Sequence, residues 1–119
     1  MNKFSKIFES NSQVDLGVKE VSTELIYLTE NQHQVGSLIV MYNGSEASVY
    51  SVAVLDKHRG KGYGKRLMEK AITRCKEKNC KLLRLNTELD NTVANKMYQS
   101  MGFRLNGIID DFNNYSLDL

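Results

Sequence analysis

The stretch that most limits what this chain can fold into is residues 52–68, VAVLDKHRGKGYGKRLM. A run of β-formers passes into Arg59-Gly60-Lys61-Gly62-Tyr63-Gly64. The apolar spacing then switches to that of a helix, with Leu67, Met68, Ala71, Ile72 and Cys75 on one face. Glycines let the backbone take positive φ and come close to a ligand. The first turn of a helix adds unpaired N–H groups and the positive end of its dipole. Together they form an anion cradle suited to a pyrophosphate, with Arg59, Lys61, Lys65 and Arg66 as counter-charges. Two common phosphate patterns fail. G-x-x-x-x-G-K-[ST] breaks because Lys65 precedes Arg66 and residue 59 is not glycine. G-x-G-x-x-G breaks because its third glycine falls on Lys65 or Leu67. R-x-x-G-x-G fits at Arg59, Gly62 and Gly64. The plainer alternative is a basic turn that only connects strand to helix.

The flanking pattern predicts an α/β (α+β) domain with a mixed sheet. Residues 25–29 (LIYLT), 34–42 (QVGSLIVMY) and 47–55 (ASVYSVAVL) read as three strands in a meander. Asn43-Gly44 reads as the hairpin turn between the second and third. After the basic helix, which Asn79 ends, residues 81–87 (KLLRLNT) read as a strand. Asp90 or Asn91 caps a second helix with an apolar face of Val93, Ala94, Met97, Tyr98 and Met101, stopped by Gly102. Residues 103–109 and 114–119 close the sheet around Asp110-Asp111. The first 22 residues are ambiguous. Phe4, Ile7 and Phe8 fit a helical turn. Val14, Leu16 and Val18 alternate like a strand, the reading adopted here, although Val14, Val18, Val21 and Leu25 also fit a helix.

At 119 residues, without repeats or linkers, residues 1–119 read as a single domain. No apolar run approaches the roughly 20 residues that span a bilayer, and residues 1–12 carry no signal-like apolar core. A cytoplasmic protein that does not engage a membrane is expected. Cys75 and Cys80 form neither a metal set nor a redox C-x-x-C, so two reduced, partly buried thiols and no metal are expected. The net charge of +2 hides an uneven distribution. Residues 56–81 carry ten Lys/Arg against three acids, and the remainder carries six against eleven. Such a basic helix beside a phosphate loop suits one small polyanion. Nucleic acid is not an expected partner, because no aromatic stacking platform adjoins the patch.

On these residues the chain resembles the GNAT superfamily of acyl-CoA-dependent N-acetyltransferases. VAVLDKHRGKGYGKRLMEKAI resembles that family's acetyl-CoA-binding segment. Residues 91–103 (NTVANKMYQSMGF) resemble its N-x-x-A-x-x-x-Y-x-x-x-G-F stretch. The resemblance runs from Leu25 to the C-terminus. It implies a mostly antiparallel mixed sheet flanked by helices, with acetyl-CoA as cosubstrate and a primary amine, on a small molecule or a protein, as acceptor. The family's one or two helices between its first two strands have little room here. The resemblance implies that Val52 and Val54 offer backbone groups to the pantetheine arm. It places the N–H groups of Arg59, Gly60, Lys61, Gly62, Tyr63 and Gly64 on the pyrophosphate, with Lys61 or Lys65 on further phosphates. Asn91 then touches the coenzyme, and Tyr98 sits near the thioester sulfur as general acid for the leaving thiolate. Taken alone, Tyr98 also fits a core aromatic.

Many family members carry a Glu on the strand before the glycine loop. Here positions 48 and 50 are Ser48 and Tyr50. Glu46 shares their strand parity and is the candidate base, against the plainer reading of a solvated hairpin charge. His33 and His58 read as solvated. A second reading is a non-catalytic acetyl-CoA-binding sensor or interaction module. A monomer or a homodimer is expected, the latter if the short N-terminal region leaves apolar surface to cover.

Overall fold

The computed structural model describes Val14 and residues 16–119. Six strands form one sheet in the order β1-β2-β3-β4-β6-β5. They are β1 (Ser22–Glu30), β2 (His33–Asn43), β3 (Glu46–Val54), β4 (Leu82–Glu88), β5 (Arg104–Ile109) and β6 (Phe112–Asp118). Helix α1 (Tyr63–Glu77) joins β3 to β4, and α2 (Thr92–Ser100) joins β4 to β5. Only the β3–β4 pairing is parallel. The expected fold class therefore holds, with the meander and the closing pair in place.

Several local readings change. Residues 16–21 form no strand, and Leu16 and Val18 are fully exposed, because neither has a neighbouring strand or helix to pack on. The turn read at Phe4, Ile7 and Phe8 lies outside the described residues. The β2–β3 turn is Gly44-Ser45 rather than Asn43-Gly44, because Asn43 pairs with Glu46. Only Gly44 has positive φ, the pattern of a turn that needs glycine at its first central position. Val93 is exposed on α2, and Asn95 takes its place inside. Asn95 Nδ2 donates to the carbonyls of Glu88 and Asn91, and Oδ1 accepts from Tyr115 Oη at 2.7 Å and Asn113 Nδ2 at 2.9 Å. A buried amide satisfied on both ends is stable, and here it fastens α2 to the end of β4 and to β6.

The main core lies between the sheet and α1. Leu38, Val40, Val49, Leu67, Met68, Ala71, Leu83 and Tyr115 are buried there. Gly36 permits the close approach of α1: an added Cβ would stand 3.1 Å from Leu67 Cδ1 and 3.1 Å from the Ala53 carbonyl. At the other end of α1, Asn79 takes φ +61°, Cys80 N–H donates to Cys75 O at 2.9 Å, and Asn79 N–H to Lys76 O at 3.0 Å. This is a Schellman stop, and Cys75 and Cys80 stand where such a stop places its apolar pair. Both thiols are free and buried, and burial pushes the Cys75 thiol up to about 12. Their role is packing.

Glu24 of β1 ties the sheet to α1. It accepts from Tyr42 Oη at 2.6 Å and from the Arg74 guanidinium on both oxygens, with Lys78 at 3.9 Å. The Arg74 and Tyr42 hydrogen bonds hold its carboxyl down to about 2 from the usual 4.5. A depressed carboxyl contributes stability that is complete above pH 4.5 and lost as pH falls toward 2. Wild-type stability is therefore expected to drop across that window, and Glu24→Gln to lack that part of the acid limb in urea titrations at stepped pH. Gly36→Ala is expected to cost about 1–3 kcal/mol through overpacking, read as a lower urea midpoint at unchanged slope.

Candidate active site

β3 and β4 begin side by side and then part. Their parallel pairing covers only Glu46–Leu82, Ala47–Leu83 and Ser48–Arg84. From Val49 onward β3 has no partner on that side. A β-bulge accompanies the parting: Ser51 and Val52 stand opposite the single residue Leu38, and Ser51 takes φ +56°. The result is a cleft inside the sheet, edged by the backbone of β3 on one side and the end of β4 on the other. Unpaired strand backbone is a template for an extended ligand. Val52 and Val54 lie on this free edge, half-buried.

The glycine loop stands at the open end of the cleft. A 3₁₀ turn (Asp56–His58) follows β3, and Gly60 and Gly62 both take left-handed φ, at +79° and +80°. Gly62 is the N-cap of α1, so Tyr63 and Gly64 belong to the helix rather than to the loop read from the sequence. Spacing alone could not fix that boundary, since the first helical turn has no apolar residue to mark it. None of the N–H groups of residues 60–65 has a backbone acceptor among the described residues. Six consecutive N–H groups at a helix N-terminus form an anion nest. Gly64 also sets α1 beside α2: a Cβ there would stand 3.6 Å from Met97 Sδ.

The loop cations are not equivalent. Arg59 Nε donates to Val54 O at 3.1 Å, and its guanidinium pairs with Asp56 at 3.0 Å. Lys61 Nζ lies 3.4 Å from Glu30. Arg66 lies over the Tyr63 ring. Lys65 makes no ion pair among the described residues. Glu30 also accepts from Tyr63 Oη at 2.9 Å and meets His58 Nδ1 at 2.5 Å. Those donors, Tyr63 first, lower its carboxyl below the usual range, and Glu30 in turn raises the Tyr63 phenol. His58 is therefore engaged rather than solvated.

Tyr98 lies on the inner face of α2, buried against Phe103 and Tyr115 with ring centroids 5.7 and 5.8 Å away. Burial raises its phenol, and the hydrogen bond with Thr87 acts in the opposite sense. The phenol thus sits by the last turn of β4, and it is also the core aromatic its spacing allowed. Asn91 caps α2, its Oδ1 accepting from Ala94 N–H at 3.1 Å, which leaves its amide NH₂ for other contacts. Glu46 stands at the opposite end of β3 from the loop, paired with Arg84 at 3.4 Å. The bulge reverses the strand's facing, so Val52 and Val54 lie on the side of Ala47 and Val49, and Glu46 does not share their face.

Glu30, Thr87 and Asn95 belong to this region without having been singled out by the sequence. No motif marks them. Glu30 is one of four polar residues in a turn, and its role depends on a loop that is distant in the chain.

A model described as the acetyltransferase (GNAT) family matches residues 9–103. Over 76 residues the chain is 34% identical to the ribosomal protein bS18-alanine N-acetyltransferase of Haemophilus influenzae, covering 64% of this chain and 51% of that protein. It is 38% identical over 52 residues to the N-alpha-acetyltransferase 30 of Saccharomyces cerevisiae, covering 44% of this chain and 30% of that protein. The chain thus spans about half the length, or less, of these relatives. Among solved structures, the PaiA N-acetyltransferase of Thermoplasma acidophilum, in complex with coenzyme A, superposes with a TM-score of 0.78 at 16% identity, over 82% of this chain and 61% of that one. The ribosomal-protein-S18-alanine N-acetyltransferase of Escherichia coli does so with a TM-score of 0.71 at 23% identity, over 96% and 74%. These likenesses show the fold. The family match extends over most of the chain and takes in the split sheet, the nest and α2, so this chain belongs to the GNAT acetyltransferase family.

Proposed function

We propose that this chain transfers an acetyl group from acetyl-CoA to a primary amine, and that the amine is the α-amine of a protein or peptide. The observation that carries the reading is the nest of six N–H groups, residues 60–65, beside the unpaired edge of β3. A pyrophosphate and an extended amide-containing arm need those two features side by side. The residues present fit the coenzyme. The N–H groups of Gly60, Lys61, Gly62, Tyr63, Gly64 and Lys65 would hold the phosphates, and Val52 and Val54 would line the arm; the Arg59 N–H, expected to join them, instead donates to Asp56 O at 3.3 Å. Lys65, free of internal pairing, reaches further phosphates in preference to Lys61. Asn91 offers its amide NH₂ from the start of α2.

The transfer forms a bond from the amine nitrogen to the acetyl carbon and breaks the carbon–sulfur bond. A backbone N–H on the free edge of β3 holds the oxyanion. Tyr98, kept protonated by burial, donates to the departing thiolate. The amine proton leaves to water. Glu46, read as a candidate base, stands at the far end of β3 from the loop and off the face of Val52 and Val54. The α-amine is favoured because it is substantially neutral near pH 7.5, with a pKa of about 7.7–8.0, and because relatives in the family carry that acceptor in their names. No helix among the described residues is long and apolar enough to cross a membrane, and a single cytoplasmic domain is part of the same reading.

Thiol release from acetyl-CoA is expected with peptides bearing a free N-terminus. It should vanish when that amine is pre-acetylated, even if a lysine is present. Transfer to lysine alone would refute the acceptor assignment, and tight acetyl-CoA binding without turnover on any amine would favour a sensor module. The rate is expected to rise with pH through the α-amine pKa. Tyr98→Phe is expected to lower kcat by about 10²-fold with little change in acetyl-CoA affinity; an equal loss in both would remove the acid role. Lys65→Ala is expected to raise the KM for acetyl-CoA more than Lys61→Ala.

A further inference from the structure

The glycine loop has little of its own to hold it. A Cβ added at Gly60 or Gly62 would meet nothing within 4 Å, so the backbone faces open space on that side. The N–H groups of residues 60–65 make no backbone bonds. A segment of this kind samples many conformations unless something outside it intervenes. Arg59 fixes the entrance through Val54 O. The rest is tied to one carboxylate on another strand.

That carboxylate is Glu30, the last residue of β1. It is held at the sheet end by a tight turn, in which Asn31 and Gln32 take φ +51° and +69° and Glu30 pairs with His33. It meets three side chains from three successive pieces of chain, with Tyr63 and Lys61 as hydrogen-bond donors and His58 Nδ1 in close contact. His58 comes from the 3₁₀ turn, Lys61 from the loop, and Tyr63 from the first turn of α1. Each lies more than 25 residues away in sequence, so Glu30 fixes the loop to the sheet across the open end of the cleft. We propose that Glu30 is a positioning residue for the coenzyme loop, holding its N–H nest in binding shape before the coenzyme arrives. This rests on the acetyl-CoA reading above. Glu30 does not touch the coenzyme; it acts through Tyr63, Lys61 and His58. Ordering a loop in advance lowers the cost of binding and leaves the chemistry alone. A carboxylate beside an anion site would otherwise repel the ligand, and the Lys61 ammonium beside Glu30 offsets that charge.

The test uses Glu30→Gln, Tyr63→Phe and the double variant. In coenzyme-free protein, trypsin nicking after Arg59, Lys61 and Lys65 is mapped by mass spectrometry, with cleavage after Lys76 and Lys78 in α1 as the control. Glu30→Gln is expected to speed loop nicking about fivefold, leaving the control sites unchanged. The KM for acetyl-CoA is expected to rise about tenfold while kcat changes by less than about twofold. Tyr63→Phe is expected to give a smaller shift in the same direction, and the double variant to match Glu30→Gln, since Tyr63 acts through Glu30. Unchanged loop nicking, additive effects, or tighter acetyl-CoA binding in Glu30→Gln would each overturn the proposal, the last by showing that the charge only repels. If Glu30→Gln also exposes the control sites, Tyr63→Phe decides, and no change in its loop nicking overturns the proposal. Calorimetry of the wild type with acetyl-CoA stands apart: failure to bind defeats the functional reading, while the nicking arm still judges Glu30.

Discussion

Everything distinctive in this molecule follows from the parting of β3 and β4 after three residue pairs. Strand backbone in the middle of a sheet is normally paired on both sides, and leaving it unpaired is costly where water is excluded. Two devices keep the strands from closing. The bulge at Ser51 and Val52 bends β3 away. On the other side Asn95 fastens α2 to the Glu88 carbonyl at the end of β4 and, through Tyr115 and Asn113, to β6. β4 is thus held to the β5–β6 side, while β3 stays with β1 and β2. The glycine loop and α1 then begin at the mouth of the gap.

β1 has a second part in this arrangement. The basic segment of residues 56–81 carries ten Lys/Arg, of which Arg59, Lys61, Arg74 and Lys78 form ion pairs among the described residues. Glu24 takes Arg74 and Lys78 near the end of α1, and Glu30 takes Lys61 and His58 near its beginning. The two carboxylates stand six residues apart on β1 and fix both ends of α1 to the sheet. Lys65, on the first turn of α1, makes no ion pair among the described residues. Part of the positive charge of this segment thus serves as a fastening between helix and sheet.

The order of elements was legible in the sequence because strands and helices here obey simple periods. The cradle was legible because Arg59, Gly62 and Gly64 sit between a β-run and a helical run. Asn79, Asn91 and Gly102 marked the ends of the helices correctly, since each role demands a particular residue chemistry. What did not show was anything set by a single backbone irregularity or by a distant partner. The bulge at Ser51 carries no glycine to announce it, yet it reverses the facing of every later residue of β3. A parity count from Glu46 to Val52 therefore fails. The apolar face read for α2 takes in Val93 and passes over Asn95, whereas Asn95 is buried and Val93 exposed. The partners of Asn95, namely Tyr115 and Asn113 on β6 and Glu88 O at the end of β4, come from two other elements and explain the reversal. Glu30 is invisible for the same reason.

The bulge also bears on the acceptor. Beyond Glu46, β3 contains no carboxylate, so its free edge offers no built-in base. For a lysine side chain, with a pKa of about 10.4, reaching the neutral form at pH 7.5 costs about 3 units, or roughly 4 kcal/mol of barrier. For an α-amine with a pKa near 7.8 the same step costs only a few tenths of a kcal/mol. On the proposed reading, a site with an oxyanion donor and a phenolic acid but no base on that strand would separate the two amines by roughly a few hundredfold before any contact with the rest of the acceptor. The selectivity would come from what the strand lacks as much as from what the cleft holds.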